Sequence, residues 1–390
     1  MADVAVDGRE ERLVSGHSGR MLFLVSFGSM TLFSGQLVLS PLLPTIIAAL
    51  AITPAQAGVA LSVMRALVAL CRFPGGRLAD QLSRKTVLVA AYLLAVAGFL
   101  LLSVADSYEA FLLAVAVLGV GAGLYMPAAL TQLTETFVAR RGRAFGVHEI
   151  AVNLGGVVAG GLAVVAIGLP SWNAVFLPLV AVLVAVAALT HRWNRDDYVL
   201  STDVSFDLRA TGSRVFRDPR VLAMLAAFAL MAFTWMGTSS FLTAFLRAEK
   251  GFSPALAANA FTGLFVVGIA ANLVVTPLGD RFGHVRTAVG SAALCALGLG
   301  VATVASPAVV VLAGLGLFAL GSASFWPLMI ASVVDVLPAD SVGGDYGVVS
   351  MTFMGVGSLG STYVGVVAEH ATYATSYLGL VALLVLVVVA

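Results

Sequence analysis

The chain has 390 residues, of which 60% are hydrophobic and only 11% charged, with a formal net charge of +1. A soluble domain carries about 25% charged and about 45 to 50% apolar residues, so this composition excludes an ordinary water-soluble fold. The near-zero net charge supplies no general attraction to nucleic acid or to an acidic partner, and no nucleic-acid partner is expected.

Residues 1–20, MADVAVDGREERLVSGHSGR, mix acids and bases with no apolar run before a small-residue cleavage site. They are expected to form a short cytoplasmic tail rather than a secretory signal. From there the chain falls into apolar runs of roughly 20 residues, the length that crosses a hydrocarbon core of about 30 Å as a helix. Spans 1 to 6 lie near 21–49, 55–79, 86–104, 109–133, 144–167 and 171–190. Spans 7 to 12 lie near 220–246, 254–278, 286–304, 307–334, 346–368 and 372–390. The expectation is an all-α, multi-pass protein of the cytoplasmic membrane with twelve transmembrane helices. The polar stretch 191–219 divides it into two parallel six-helix bundles, 21–190 and 220–390, and is expected to be a cytoplasmic linker.

Charge sets the orientation. With the amino terminus inside, the cytoplasmic connectors hold Arg72, Arg77, Arg84 and Lys85, then Arg140, Arg141 and Arg143, then the basic residues from Arg192 to Arg220, then Arg281 and Arg286. Apart from these and the amino-terminal tail, only Arg65, Arg247 and Lys250 carry positive charge. Positive connectors stay cytoplasmic, so both termini are expected there.

The two bundles repeat one pattern. GGRLADQLSRKTVL follows span 2 and TPLGDRFGHVRTAV follows span 8; Asp80 and Asp280 are 280 − 80 = 200 apart. Gly121 and Gly321 in spans 4 and 10 share that offset, as do Pro127 and Pro327. Spans 2 and 8 cross in the same direction, so the repeat is parallel, an arrangement found in transporters that bind solute between the halves near the midplane. Spans 3, 6, 9 and 12 are almost bare of polar side chains, whereas the others carry Gln36, Arg65, Tyr125, His148, Glu149, Asn153, Trp235, Asn272 and Trp326 among them. Because polar groups in a membrane face protein or water, the bare helices are expected outside and the other eight around a polar cavity.

On these residues the sequence resembles the major facilitator superfamily of transporters along essentially its full length. That family's signature after the second helix is GxxxD, a basic residue, a spacer, Gly and two basic residues. Gly76, Asp80, Arg84 and Lys85 fit it, while Gln81 and Ser83 stand where the family has a basic residue and Gly. The second copy keeps Asp280, Arg281, Gly283 and Arg286, with Thr276 in place of the leading Gly. The resemblance implies that these loops are latches tying neighbouring helices on the cytoplasmic side in the outward-facing state. GLYMPAAL and RRGRAFGVHEIAVNLGG look most like the branch of fosmidomycin-resistance exporters and related drug-efflux proteins. NLGGVVAGGL in span 5 has the glycines of the drug/proton antiporters without their proline, and span 4 has Val115 in the region where they often carry an arginine.

Arg65 lies 11 residues after Pro54 and 15 before Asp80, roughly 16 Å and 22 Å from the two ends of its span, so it sits near the midplane. A cation there marks a ligand path or a buried partner. Its planar fork suits a carboxylate or phosphonate. Gln36, Tyr125, Trp235, Asn272 and Trp326 join it as candidate solute-binding residues, the aromatic ones by stacking. His148, Glu149 and Asn153 are candidates for proton coupling; Glu149 and Asn153 share a helix face. The alternative for Glu149 is a gate pairing with Arg72 or Arg143. The GxxxG pairs Gly119/Gly123 and Gly156/Gly160 are expected to permit close helix contact. Cys71 and Cys295 read as small core residues rather than a disulfide or metal site, and no metal or cofactor is expected.

No HExxH, GxSxG or Cys/His cluster suggests an enzyme. Nothing resembles a channel's carbonyl filter or ring of charge. The expected function is therefore secondary active transport of a small organic solute by alternating access, as proton-linked efflux from a monomer in the lipid bilayer. The alternatives are an importer or exchanger of organic anions that uses Arg65, and a transport-inactive sensor or scaffold on the same fold.

Overall fold

In the computed structural model, the described residues are 12–138, 140–199, 216–334, 336 and 342–389. The side chains of Asp80, Arg141, 272–280, 334 and 342–345 are outside the description. All the regular structure among these residues is helical.

Span 1 is two helices, α1 (Gly16–Leu37) and α2 (Leu39–Leu50), broken at Val38, where an uninterrupted helix was expected. Pro41 and Pro44 explain the break: neither has an N–H to return to the carbonyls of Leu37 and Ser40. The Ser40 carbonyl instead accepts from Thr243 Oγ1 at 2.9 Å, across to the second half. The first helix also begins at Gly16, inside the expected tail.

The helices α3 (Pro54–Gln81), α4 (Arg84–Ser103), α5 (Tyr108–Thr136), α6 (Arg141–Ala166) and α7 (Phe176–Trp193) complete the first half, with a 3₁₀ turn over Trp172–Val175. The second half comprises α8 (Pro219–Ala248), α9 (Pro254–Phe282), α10 (His284–Val304), α11 (Ala308–Val334), α12 (Val342–His370) and α13 (Tyr373–Val389). Taking α1 and α2 as one span, eleven of these have the length and apolar composition to cross a membrane, and Tyr373–Val389 is a shorter apolar helix. Starts follow local chemistry. Thr53 and Gln56 form a capping box ahead of Pro54, Ser83 and Ser107 cap α4 and α5, and the Asp218 side chain accepts from the Arg220 N–H.

The bare helices behave as their composition dictates. Helices α4 and α7 pack on each other and on α5 and α1, and α10 and α13 on each other and on α11 and α8, each pair within its own half. Their outer faces expose Leu93, Val184, Leu297 and Leu386. Between the halves, α3 packs on α12, α6 on α9, and α2 on α8. Two tyrosines of bare helices depart from the pattern: Tyr92 of α4 and Tyr377 of α13 are fully buried, their hydroxyls donating to the Leu24 carbonyl at 3.3 Å and the Thr238 carbonyl at 2.9 Å.

The start of the segment expected as a linker, 191–219, is described as far as Val199. Helix α7 runs on to Trp193, and the segment after it is tied to the first half. Lys85 donates to the Asn194 carbonyl, Asn194 Nδ2 to Gln132 Oε1, and the Val199 N–H to Thr86 Oγ1.

Candidate functional site

The face where α1 begins is called here the tail face, and the one opposite, the far face. Between the halves lies a cavity of about 320 Å³, lined from α1, α3 and α5 on one side and α8, α11 and α12 on the other. Five of the six expected binding residues meet there: Gln36, Arg65, Tyr125, Trp235 and Trp326. The sixth, Asn272, has its side chain outside the described residues. Sequence reasoning missed the remaining character of the wall, which is methionine and phenylalanine: Met64, Met126, Met236, Met354, Phe33 and Phe353. A thioether adapts its shape to an irregular apolar guest.

The aromatic walls are braced from behind. Trp235 stacks on Phe318 with centroids 5.9 Å apart, and Trp326 stacks on Phe228 at 5.9 Å and leans on Phe353 at 5.7 Å. Gln36 donates back to the Leu32 carbonyl at 3.3 Å, leaving its amide oxygen as an acceptor at the cavity.

Arg65 reaches across the cavity floor to the other half. Its Nη1 donates to the Met236 carbonyl at 2.7 Å and to Ser361 Oγ at 3.4 Å, and its Nη2 to Ser239 Oγ at 3.4 Å. All three acceptors are neutral. Among the described lining residues there are two arginines, Arg65 and Arg72, and no carboxylate. A half-buried guanidinium without a counter-charge leaves the site short of one negative charge.

Among the described residues, the hydrogen bonds that cross the seam between the halves lie toward the far face. There Ser62 Oγ donates to the Ser358 carbonyl at 2.6 Å, and Thr362 donates to Ser62 through its backbone N–H at 3.0 Å. Glu369 accepts from the Ala55 N–H at 3.1 Å. Gly58 lies against the Ser361 carbonyl and Gly160 against Thr262, positions where a side chain would collide with the opposite half. Toward the tail face a second cavity of about 440 Å³ shares Arg72, Met126 and Tyr346 with the first and extends to Arg77.

The three proton-coupling candidates separate. Glu149 is exposed and lies within electrostatic reach of Arg72, and Arg72 is also near Tyr346. Asn153 donates to the Glu149 carbonyl at 2.9 Å, a bond within its own helix. His148 is fully buried and does not line the cavity. Its ring nitrogens lie 3.4 and 3.5 Å from Ser29 Oγ, which is 2.9 Å from the Tyr125 hydroxyl. Tyr125 therefore joins the cavity wall to a polar cluster of Ser29, His148 and Tyr92, two members of which carried no signal in the spacing.

The latch residues also divide. Arg84 pairs with Glu135 at the end of α5, a partner not anticipated, and Lys85 lies 4.8 Å from the Tyr198 ring centroid. Gly76 has only an ordinary neighbour in Pro127; it is Gly75 whose backbone meets that of Leu124. In the second copy Gly283 has φ +92, which requires glycine, and Arg281 stacks over Phe282 while Arg286 is exposed. At the equivalent turn of the first copy Ser83 is extended, φ −169, and serves as a cap. The side chains of Asp80 and Asp280 lie outside the described residues.

Comparison with known proteins agrees with this architecture. Over 226 residues the chain is 23% identical to the quinolone resistance protein NorA of Staphylococcus aureus (strain MRSA252), 55% of this chain and 56% of that protein. The alignment thus spans little more than half of that relative's length. Among solved structures, a bacterial homologue of the human lysosomal transporter Spinster, inward-facing and unoccupied, superposes with a TM-score of 0.80 at 17% identity over 96% of both chains. The nucleoside transporter NupG (D323A mutant) gives 0.79 at 16% identity, over 95% of this chain and 97% of its own. A POT family transporter in complex with 5-aminolevulinic acid gives 0.79 at 14% identity, over 95% and 94%. These share the fold. The model of the Major Facilitator Superfamily matches residues 22–267 and again 224–390, both halves of the repeat, and the chain belongs to that family of multi-pass membrane transporters.

Proposed function

We propose that this protein is a secondary carrier for a small organic solute with an aromatic or apolar body and an anionic group, working by alternating access. One observation carries the reading: a half-buried Arg65, whose partners among the described residues are all neutral, forms the floor of a Met- and aromatic-lined cavity shared by both halves. The volume of about 320 Å³ is at the small end of the range for organic ligands. The apolar walls would hold the body by burial and stacking, and the guanidinium fork would hold the acid.

Several features support movement between two states. The halves meet along α3–α12, α6–α9 and α2–α8, and the hydrogen bonds across this seam among the described residues lie toward the far face, with the cavities leading to the tail face. With the basic connectors placed inside, the tail face is cytoplasmic and this is the inward-facing state. An anion arriving from that side would draw Arg65 from the Met236 carbonyl, removing a bond that spans the halves, and so favour rocking toward the far face. The direction this supports is efflux, and resistance, the property in the name of the quinolone resistance protein NorA, is consistent with removal of a compound from the cell. Glu149, exposed beside Arg72, is the residue best placed to exchange a proton as the tail-face entrance closes.

Thermal stabilisation of the purified protein by a panel of aromatic carboxylates, their amides and the corresponding amines tests the reading. Carboxylates should stabilise the wild type and lose that effect in Arg65→Ala, which should respond to acid and amide alike. Equal stabilisation of both proteins by every carboxylate would refute it.

A further inference from the structure

Of the three cations outside the basic connectors and tail, Arg65 is used in the cavity and Lys250 is used structurally. Lys250 Nζ donates to the Thr303 and Ala305 carbonyls at 2.6 and 2.8 Å, satisfying the end of α10, and sits over the Phe245 ring. Arg247 has no such account. It makes no hydrogen bond or ion pair among the described residues, yet it borders two cavities near the far face, of about 480 and 520 Å³. A favourable interaction with the carboxyl end of α8 would explain a basic residue there. It would not explain why the guanidinium faces open volume.

The surroundings are mainly apolar, with Thr45 and Ser171 beside Arg247 among the lining, and lie in the seam. The cavity of about 480 Å³ is walled by Pro41 and Leu42 of α2, Ala166 of α6, Ile167 and Leu169 in the loop after it, and Ala258 of α9. Ile167 and Leu169 are 56% and 37% exposed, so this wall opens outward. A free inorganic anion would satisfy Arg247 and leave these walls uncovered. An amphiphile with a phosphate beside acyl chains would satisfy both, and arginine's fork grips phosphate through two parallel hydrogen bonds.

We propose that Arg247 is the phosphate-binding residue of a lipid site set in the far-face seam between the halves. Because α2 and α6 belong to one half and α8 and α9 to the other, a lipid seated there touches both. It holds the far face closed and retards the carrier's turnover.

Native mass spectrometry of the delipidated full-length protein, with phosphatidylglycerol, diacylglycerol or inorganic phosphate added in detergent, tests this. The wild type should retain phosphatidylglycerol, with Arg247→Gln weakening retention roughly tenfold, as expected for loss of a charge-assisted pair. Diacylglycerol should be held no better by the wild type than by the variant. Ile167→Trp, on the partly exposed wall, should also weaken the lipid while leaving the lipid-free melting temperature unchanged, which separates a filled site from a misfolded one. Equal phosphatidylglycerol retention by Arg247→Gln and wild type would overturn the proposal. So would inorganic phosphate protecting the wild type from melting as well as the lipid does, which would make this a site for free anions.

Discussion

Replacing Arg65 with Met should change the balance of states more than it changes folding. The bond from Nη1 to the Met236 carbonyl, at 2.7 Å, is charge-assisted and spans the halves; bonds of that kind contribute about 1.5–3 kcal/mol. The two contacts at 3.4 Å lie near the limit of useful geometry and add little. The Met236 carbonyl keeps Ser240 Oγ at 2.7 Å and Ser361 Oγ at 3.3 Å, so no orphaned acceptor remains. Against the lost bond stands the relief of a half-buried charge with no counter-ion. The net loosening of the far-face seam is about 1–2 kcal/mol, or a shift of about 5- to 30-fold toward the state open at the far face. Spin labels at Glu109 and Pro307, exposed at the far-face ends of the two halves, would report it as a longer-distance population in pulsed dipolar spectroscopy. A saturating aromatic carboxylate should move the wild type in the same direction. Identical distance distributions for Arg65→Met and wild type would refute the assignment of Arg65 as a strut between halves.

Four further outcomes follow from the packing. Gly58→Val places a side chain against the Ser361 carbonyl across the seam; it should favour far-face opening by about 1–3 kcal/mol with near-normal folded yield, read by the same labels. Gly119→Val meets the Met64 carbonyl within one half, and should instead lower folded yield and melting temperature, measured by size-exclusion profile and thermal denaturation. Thr243→Val removes the donor to the Ser40 carbonyl freed by Pro44; an unsatisfied buried carbonyl costs about 1–3 kcal/mol, which should appear as a lower melting temperature. Glu149→Gln should abolish uptake driven by a pH gradient into inverted vesicles while leaving solute exchange intact; gradient-driven transport at the wild-type rate would remove Glu149 from the coupling scheme.

The fold was legible because lipid makes composition decisive. Bare apolar runs such as SYLGLVALLVLVVVA had to face hydrocarbon, and the repeated Asp, Gly and Pro at one offset gave the two halves. The break at Val38 was foreshadowed by Pro41 and Pro44, but not the role of the freed Ser40 carbonyl, which depends on a threonine 203 residues away. Arg65 stood out by its depth in an apolar run. Its partners did not, since two serines and a carbonyl leave no charge signature in a sequence. His148 and Glu149 are adjacent in sequence yet face different surroundings, one buried against Ser29 and the other exposed near Arg72, as neighbours on a helix must. The GxxxG pairs split in a way spacing alone could not show: Gly119 and Gly123 lie against α3 within a half, while Gly156 and Gly160 lie against α9 across the seam.

Solute counterflow in proteoliposomes tests the central claim most directly, using a labelled naphthoate and its uncharged amide with the wild type and Arg65→Gln. The wild type should concentrate the carboxylate in preference to the amide, and Arg65→Gln should lose that preference by roughly tenfold or more. An unchanged preference for the carboxylate in Arg65→Gln would contradict an arginine-based anion site in this cavity.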